Sequence, residues 1–249
     1  MTRSPDGTSW YPNPVSVANY TIALYGAYYR GDDTARYPLL VNANWLYWNN
    51  VVRQDHVGRQ FRTYEYPIPV PAYKAPVGWR SALAGAEAIN ALYLASIVSG
   101  NPAFDQRGAE MFLPFDLPIE YGGYRYPLLG AADPHTVWYE EVAHPAAVRS
   151  HTLDDNLWVI LAMDWYGQQA GNATALRLAN DGLRGLQYAL HNYDENGRSV
   201  YDLYYRTLSC YHQRDGHVPL LKQLYERFGV ELFDIYYKRW LATSIACVD

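Results

Sequence analysis

Ionisable side chains concentrate in two segments of a chain in which only 18% of the residues are charged. The first segment, WYEEVAHPAAVRSH (138–151), contains two adjacent acids, Glu140 and Glu141. The second, YDLYYRTLSCYHQRDGH (201–217), combines tyrosines with histidines, arginines and aspartates. Together they supply carboxylates, phenols, cations and imidazoles. Such a set could remove a proton from a substrate, return one and hold an anion.

Metal binding is not indicated by the remaining candidate ligands. Three histidines lie in or near the first segment: His135, His144 and His151. Their spacing fits no recognised metal motif. Cys210 and Cys247, the two cysteines, fit none either, and whether they form a disulfide is left open. We therefore predict no metal site.

The composition limits the kinds of partner that the chain is expected to bind. The net charge of -5 argues against nucleic acid, which requires a basic patch. No apolar run is expected to reach membrane-spanning length, and residues 1–14 lack the apolar core of a signal peptide. The expectation is a cytoplasmic protein, or an extracellular one if a leader has been removed. The 25 tyrosines and 8 tryptophans suit sugar or peptide surfaces, but they also fill cores.

Helical periodicity covers most of the chain. Helices are predicted over residues 13–31, 36–56, 80–100, 101–114, 152–171, 172–194, 218–229 and 230–246. Residues 59–73 and 197–208 look extended, and residues 115–149 show no clear period. The helices form four consecutive pairs joined by short turns. We predict an all-α fold, an incomplete α/α-barrel of about four helical hairpins with short extended segments at one mouth, in a single domain over residues 1–249.

Acids at the start of one predicted helix have a plain structural explanation. Asp154 and Asp155 follow Thr152, where helix capping and the helix dipole both favour negative charge. We therefore do not assign them to the site.

A set of motifs resembles one known family. The matching segments are GWRSALAGAEAINAL (78–92), WYEE (138–141), LDDNLWVILAMDWY (153–166), SVYDL (199–203), YH (211–212) and YKRW (237–240). They occur in family order across residues 15–240, and there the chain resembles the C-terminal catalytic domain of the D-glucuronyl C5-epimerases. The resemblance implies an α/α-barrel without a redox cofactor and with a cleft for an acidic oligo- or polysaccharide. It also implies assembly as a homodimer.

Epimerisation at C5 of a uronic acid explains the residue types. The hydrogen that is removed lies next to a carboxylate, so its loss produces a doubly charged enediolate. The protein must neutralise or hydrogen-bond that carboxylate. It also needs a base on one face of the sugar ring and an acid on the other.

Three catalytic residues are expected from the resemblance. Glu141 corresponds to the family's catalytic glutamate, and desolvation by Trp138 and Tyr139 would raise its pKa. Tyr211 is expected to serve the opposite face of the ring, and Tyr201 to hold the substrate. The residues expected to bind the substrate are Glu140, Tyr139, Trp138, Tyr204, Arg206, His212 and Arg149.

Two departures from the family pattern keep other functions open. Val142 stands where the family commonly has tyrosine, and Tyr204 where it has arginine. A polysaccharide lyase would use the same residue types. A glycoside hydrolase could pair Glu141 with Asp215 or Asp155. A glycan-binding module without catalysis is the alternative outside the enzymes.

Overall fold

Helices dominate the computed structural model, which describes residues 2–3, 10–128 and 130–244. The helices in this part are α1 Pro14–Tyr29, α2 Arg36–Trp48, α3 Ala82–Ser99, α4 Ala103–Ala109, α5 Leu113–Asp116, α6 Leu153–Ala170, α7 Ala173–Ala189, α8 Val218–Phe228 and α9 Glu231–Ser244. Short strands form antiparallel ribbons: β1 Thr2–Arg3 with β2 Trp10–Tyr11, β3 Val51–Gln54 with β4 Gln60–Thr63, β5 Arg125–Pro127 with β6 Val137–Tyr139, and β7 Asp194–Glu195 with β8 Arg198–Ser199. Cys247 lies outside the described residues, and so does its pairing with Cys210.

Four helical hairpins follow one another along the chain. They are α1 with α2, α3 with α4, α6 with α7, and α8 with α9. Helices α1, α3, α6 and α8 also pack side by side, each against the next, and we call them the inner row. Because an antiparallel partner separates successive members, the inner helices run in the same direction. Their N-terminal ends therefore lie at the same end of the row.

Capping side chains define the starts of α1 and α3, whereas Thr152, at the start of α6, makes no side-chain capping hydrogen bond. The Asn13 side chain accepts a hydrogen bond from the Val15 backbone N–H at 3.0 Å, and Ser81 accepts one from Ala84 at 3.2 Å. Each satisfies a donor that has no partner within the helix. Gly100 ends α3 with φ +70°, a left-handed conformation that glycine adopts without strain.

The second predicted helix is shorter than its apolar pattern indicates. Residues 36–56 were expected to be helical, but α2 ends at Trp48 and residues 51–54 form β3. The β-branched Val51 and Val52 pair with Thr63 and Arg62 of β4. Pairing across a tight turn supplies backbone hydrogen bonds that local propensity does not anticipate. In the predicted extended region 197–208, only residues 198–199 are strand, and the remainder turns back on itself.

Helix α3 corrects the expectation that no apolar run reaches membrane-spanning length. Its 18 residues, Ala82–Ser99, are long and apolar enough to cross a membrane by length and composition. In this fold 67% of the helix is buried, against α1, α2, α4 and α6. Its many alanines allow those helices to approach closely, as in the core helix of a globular domain.

Candidate active site

Strand β6 places Glu141 at the N-terminal end of the inner row. The indole of Trp138 stacks on Tyr193 with ring centroids 5.4 Å apart, and the Tyr139 hydroxyl donates to the Leu178 carbonyl at 2.9 Å. Directly after the strand, the Glu140 carbonyl accepts a hydrogen bond from the N–H of Ala82, the first residue of α3, at 3.1 Å. Glu141 therefore projects from a backbone that is fixed on both sides.

Glu141 is the centre of a hydrogen-bonded acidic cluster. The Tyr201 hydroxyl donates to Glu141 Oε2 at 3.2 Å. Asp155 also hydrogen-bonds the Glu141 carboxylate. Burial, followed by the nearby charge of Asp154, raises the pKa of Glu141 to about 7, although the bond from Tyr201 opposes the rise. A carboxylate with such a pKa is well matched to proton transfer near neutral pH.

Two aspartates in the first turn of α6 complete the cluster. Burial raises the pKa of Asp155 well above its usual value, and the charges of Glu141 and Asp154 raise it further. Burial also acts on Asp154, but the hydrogen bond from His212, Nδ1 to Oδ2 at 2.8 Å, helps to hold its pKa below the usual value. Asp155 therefore holds its proton to higher pH than an ordinary aspartate, and in its protonated form it can donate to the Glu141 carboxylate.

Tyrosines form a wall beside the cluster. The Tyr201 ring lies 4.3 Å from the imidazole of His212, centroid to centroid. Tyr66 stacks on Trp79 at 3.8 Å and donates to Asn13 Oδ1 at 3.1 Å. Burial raises the pKa of Tyr66, Tyr73 and Tyr201, and the Glu141 charge raises all three further. These phenols are therefore neutral donors close to Glu141.

A π-helical turn presents His212. It spans His212–His217 and leads directly into α8. Gln213 anchors it, because its amide nitrogen donates to the Trp240 carbonyl at 2.9 Å and its oxygen accepts from the Ser199 N–H at 2.9 Å. His217 Nδ1 lies 2.7 Å from the Ser199 hydroxyl, and burial lowers the pKa of His217 to about 4. Isolated π-helical turns are rare and often occur at functional sites.

Of the predicted catalytic residues, Glu141 and Tyr201 are in direct contact, whereas Tyr211 lies further out. Tyr211 is 60% exposed, and its ring centroid lies 5.3 Å from that of His212. Tyr204 is also exposed and packs edge-on against Tyr205 at 4.7 Å. The Tyr205 hydroxyl in turn donates to the Ala72 carbonyl at 2.6 Å. These tyrosines lie at the rim rather than within the acidic cluster.

Glu140 and its two aromatic neighbours are buried. The carboxylate of Glu140 accepts hydrogen bonds from the Ser150 hydroxyl at 3.0 Å and the His151 N–H at 3.2 Å. His151 Nδ1 also lies 2.5 Å from its other oxygen. Trp138 and Tyr139 are fully buried in the contacts described above. In this structure all three hold the loop that carries Glu141, and their contact with a substrate stays a prediction.

The predicted arginines are engaged elsewhere. Arg206 donates to the Asn192 carbonyl at 3.0 Å and to Glu195 at 2.7 Å. Arg149 donates to Glu120 at 2.9 Å. Neither guanidinium contacts the acidic cluster, and the side chains that hydrogen-bond Glu141 include those of Tyr201 and Asp155. Val142 is buried against Tyr66 and Trp79, behind the site.

The sequence analysis did not place Asp154, Tyr66 or Tyr73 at the site, and it named Asp155 there only as the acid partner of a glycoside hydrolase. The two aspartates had been explained as helix caps. The only sequence signal for Tyr66 and Tyr73 was the prediction that extended segments, among them residues 59–73, line one mouth of the barrel. Among the described residues, no group of three or more His, Cys, Asp or Glu side chains is arranged to hold a metal ion.

The fold and the site define an α/α-barrel domain with a hydrogen-bonded carboxylate cluster at the N-terminal ends of its inner helices. The fold resembles that of the GH76 α-mannanase BT2949 of Bacteroides thetaiotaomicron, with a TM-score of 0.55 and 11% identity. That comparison covers 94% of this chain and 60% of the mannanase chain. The prediction of an incomplete α/α-barrel is confirmed.

Sequence comparison identifies the family. Residues 55–242 match the family described as D-glucuronyl C5-epimerase C-terminus, and the chain belongs to that family. This confirms the resemblance that the motifs indicated. An uncharacterized protein of Methanocaldococcus jannaschii is 28% identical over 188 residues, which are 75% of this chain and 59% of that protein. The chain thus spans about three fifths of the length of both relatives. The family is one of carbohydrate-active, epimerase-like domains.

Proposed function

We propose that the chain epimerises a uronic acid residue of an acidic polysaccharide at C5. The main support is the Glu141 carboxylate, whose raised pKa of about 7 and neutral hydrogen-bond donors suit it to proton abstraction. Membership of the C5-epimerase family supports the same reaction. We also propose that the substrate is an acidic polymer and that the chain assembles with a second copy of itself.

The proposed reaction uses two proton-transfer groups. Glu141 removes the C5 proton, and the electrons of the broken C–H bond move into the substrate carboxylate to form an enediolate. Asp155 and Tyr201 are neutral donors beside Glu141 and would stabilise the developing negative charge without introducing a cation. Tyr211 then delivers a proton to the opposite face of C5, which restores the C–H bond with inverted configuration. His212 positions the Tyr211 ring.

Incubation with a heparosan polymer in heavy water tests this proposal. Deuterium at C5 of the uronate without chain cleavage is the expected result. A new double bond absorbing in the ultraviolet would instead show that the chain is a lyase. Binding of the polymer without exchange would show a glycan-binding module.

The geometry does not favour a glycoside hydrolase that uses the acids named above. The Glu141 and Asp155 carboxyl groups hydrogen-bond each other, whereas a glycosidase holds its two carboxyl groups roughly 5–9.5 Å apart on either side of the scissile bond. Asp215 is exposed and is held by Arg214, with Nη2 and Oδ2 2.8 Å apart.

Replacing Tyr211 with phenylalanine tests the second proton-transfer group. We expect formation of the C5-inverted uronate to fall by about a hundredfold or more, because the variant has no hydroxyl to deliver the returning proton to the opposite face. The exposed position predicts an unchanged melting temperature. Tyr37→Phe, at an exposed tyrosine of α2, is the matched control. Full activity in Tyr211→Phe would remove Tyr211 from the mechanism.

The pH dependence of kcat/KM tests the role of Glu141 as the base. A base must be ionised, so the rate should rise with pH through about 7 in the wild type. The Tyr201 hydroxyl lowers the pKa of Glu141, and Tyr201→Phe should move the inflection to higher pH. Measurement of kcat/KM against pH for the wild type and for Tyr201→Phe checks the shift. An inflection that stays in place, or moves to lower pH, would contradict this assignment.

A further inference from the structure

A second concave site lies along the inner row of helices. It has a volume of about 740 Å³ and is lined by residues of α1, α3, α6 and α8. Glu141, Tyr201 and His212 are not among its lining residues. Trp165, on its wall, is ten residues from Asp155 along α6, which corresponds to about 15 Å of helix. We call this site the inner groove.

Two tryptophans form one wall of the inner groove. Trp158 and Trp165 are seven residues apart on α6, so two turns of helix place them on the same side. Their side chains are 43% and 37% exposed, which is unusual for large aromatic groups lining a cavity. Flat, accessible indoles provide an apolar surface on which a sugar ring can stack.

Buried polar groups without partners lie on the opposite helix, α3. Glu87 and Asn90 line the groove and are each only 7% exposed. The Asn90 amide nitrogen donates to the Ala162 carbonyl at 3.2 Å, but its oxygen has no partner. The Glu87 carboxyl group has no hydrogen bond or ion pair with any residue in the described part of the chain. Such groups are costly to bury, and a ligand rich in hydroxyls would satisfy them.

The charges of the inner groove do not suit an anion. Its ionisable lining residues are Glu87, Asp164, Glu226 and Arg227. The guanidinium of Arg227 is held by both oxygens of Asp164, at 2.5 and 3.1 Å. Burial raises the pKa of Glu87 to about 7, so near neutral pH a large share of the molecules carry a carboxylic acid that can donate as well as accept. A uronate would be repelled here, whereas a neutral sugar would not.

We propose that the inner groove binds a neutral pyranose oligosaccharide. The sugar rings stack on Trp158 and Trp165, and their hydroxyls hydrogen-bond Glu87 and Asn90. This site is separate from the acidic cluster, and the proposal does not depend on the reaction at Glu141. In a polymer with both neutral and acidic sugar residues, the inner groove would bind the neutral ones.

Calorimetric titration of the full chain with neutral trisaccharides tests the proposal. The probes are maltotriose, cellotriose, mannotriose and triacetylchitotriose, with a glucuronate-containing tetrasaccharide as the acidic comparison. We expect at least one neutral probe to bind with a millimolar dissociation constant, and more tightly than the acidic one. Trp165→Ala and Glu87→Leu should each weaken that binding by about tenfold or more.

Control measurements separate the groove from the remaining surface. Trp48→Ala removes a tryptophan that is 73% exposed on α2, outside the groove, and should leave binding unchanged. Melting temperatures show whether each variant is folded. If Glu87→Leu does not fold, Trp158→Ala replaces it, because Trp158 is largely accessible and its loss should not disturb the core. Absence of binding by every neutral probe up to tens of millimolar would overturn the proposal. An equal loss of binding in Trp48→Ala would do the same.

Discussion

Glu141→Gln should abolish deuterium exchange at C5 while leaving the chain folded. Glutamine has the same shape and can still accept a hydrogen bond from Tyr201, but it cannot take up a proton. Loss of a positioned base costs about 10²–10⁴-fold in rate, and we expect the upper part of that range. Exchange measured in heavy water over days would detect the residual rate.

The same substitution has a predicted effect on stability. The pKa of Glu141 is raised from 4.5 to about 7 in the folded chain, so ionisation favours the unfolded chain as the pH rises through this range. Glutamine carries no charge and removes that penalty. The melting temperature of Glu141→Gln at pH 8 should therefore equal or exceed that of the wild type.

Glu120→Gln is the matched control. Glu120 is a more exposed glutamate, and its ion pair with Arg149 lies at the surface. Its substitution should change neither exchange nor stability appreciably. Normal exchange by Glu141→Gln would show that Glu141 is not the base. A large fall in its melting temperature at pH 8 would show that its charge stabilises the fold.

Gly185→Ala is expected to have the largest effect on stability. Gly185 lies in α7, where the helix passes directly over β6. An added Cβ would lie 1.8 Å from the Val137 carbonyl oxygen and 2.7 Å from its carbon. These are backbone atoms that cannot rotate away, so helix and strand must separate. We expect a loss of about 3 kcal/mol or more in the free energy of unfolding.

The strand that would move is the one that precedes Glu141. Separation of α7 from β6 would displace Trp138, Tyr139 and the loop after them, so C5 exchange should fall as well. Thermal melting should show a midpoint lower by about 10 °C in a chain of this size.

Gly26→Ala, in α1, is the control for Gly185→Ala. The nearest atom to its added Cβ is the end of the flexible Arg30 side chain, at 3.3 Å. Alanine is a better helix former than glycine, so this variant should be as stable as the wild type or slightly more stable. A Gly185→Ala protein with wild-type stability would contradict the close helix–strand contact. Destabilisation of both variants to the same extent would contradict the assigned cause.

Most of the helices could be predicted because the residues that start and end a helix lie next to it in the sequence. Asn13, Ser81 and Gly100 satisfy or terminate the hydrogen bonds of adjacent residues, and such caps can be read within a few positions. The order of the motifs along the chain also indicated the family. Helix α2 was predicted too long, because β3 is stabilised by a partner strand and not by its own residues.

Tertiary structure decided which side chains share the site. The helix dipole explains why α6 begins with Asp154 and Asp155, but only packing brings both beside Glu141, where burial and the neighbouring charges raise the pKa of Asp155. Tyr66 and Tyr73 come from a segment with no motif, and the inner groove exists only where four helices meet. Conversely, Arg206 and Arg149 have suitable chemistry in sequence, yet Glu195 and Glu120 bind them. Capping is a property of neighbours along the chain, whereas desolvation and ion pairing depend on residues that folding brings together from distant positions.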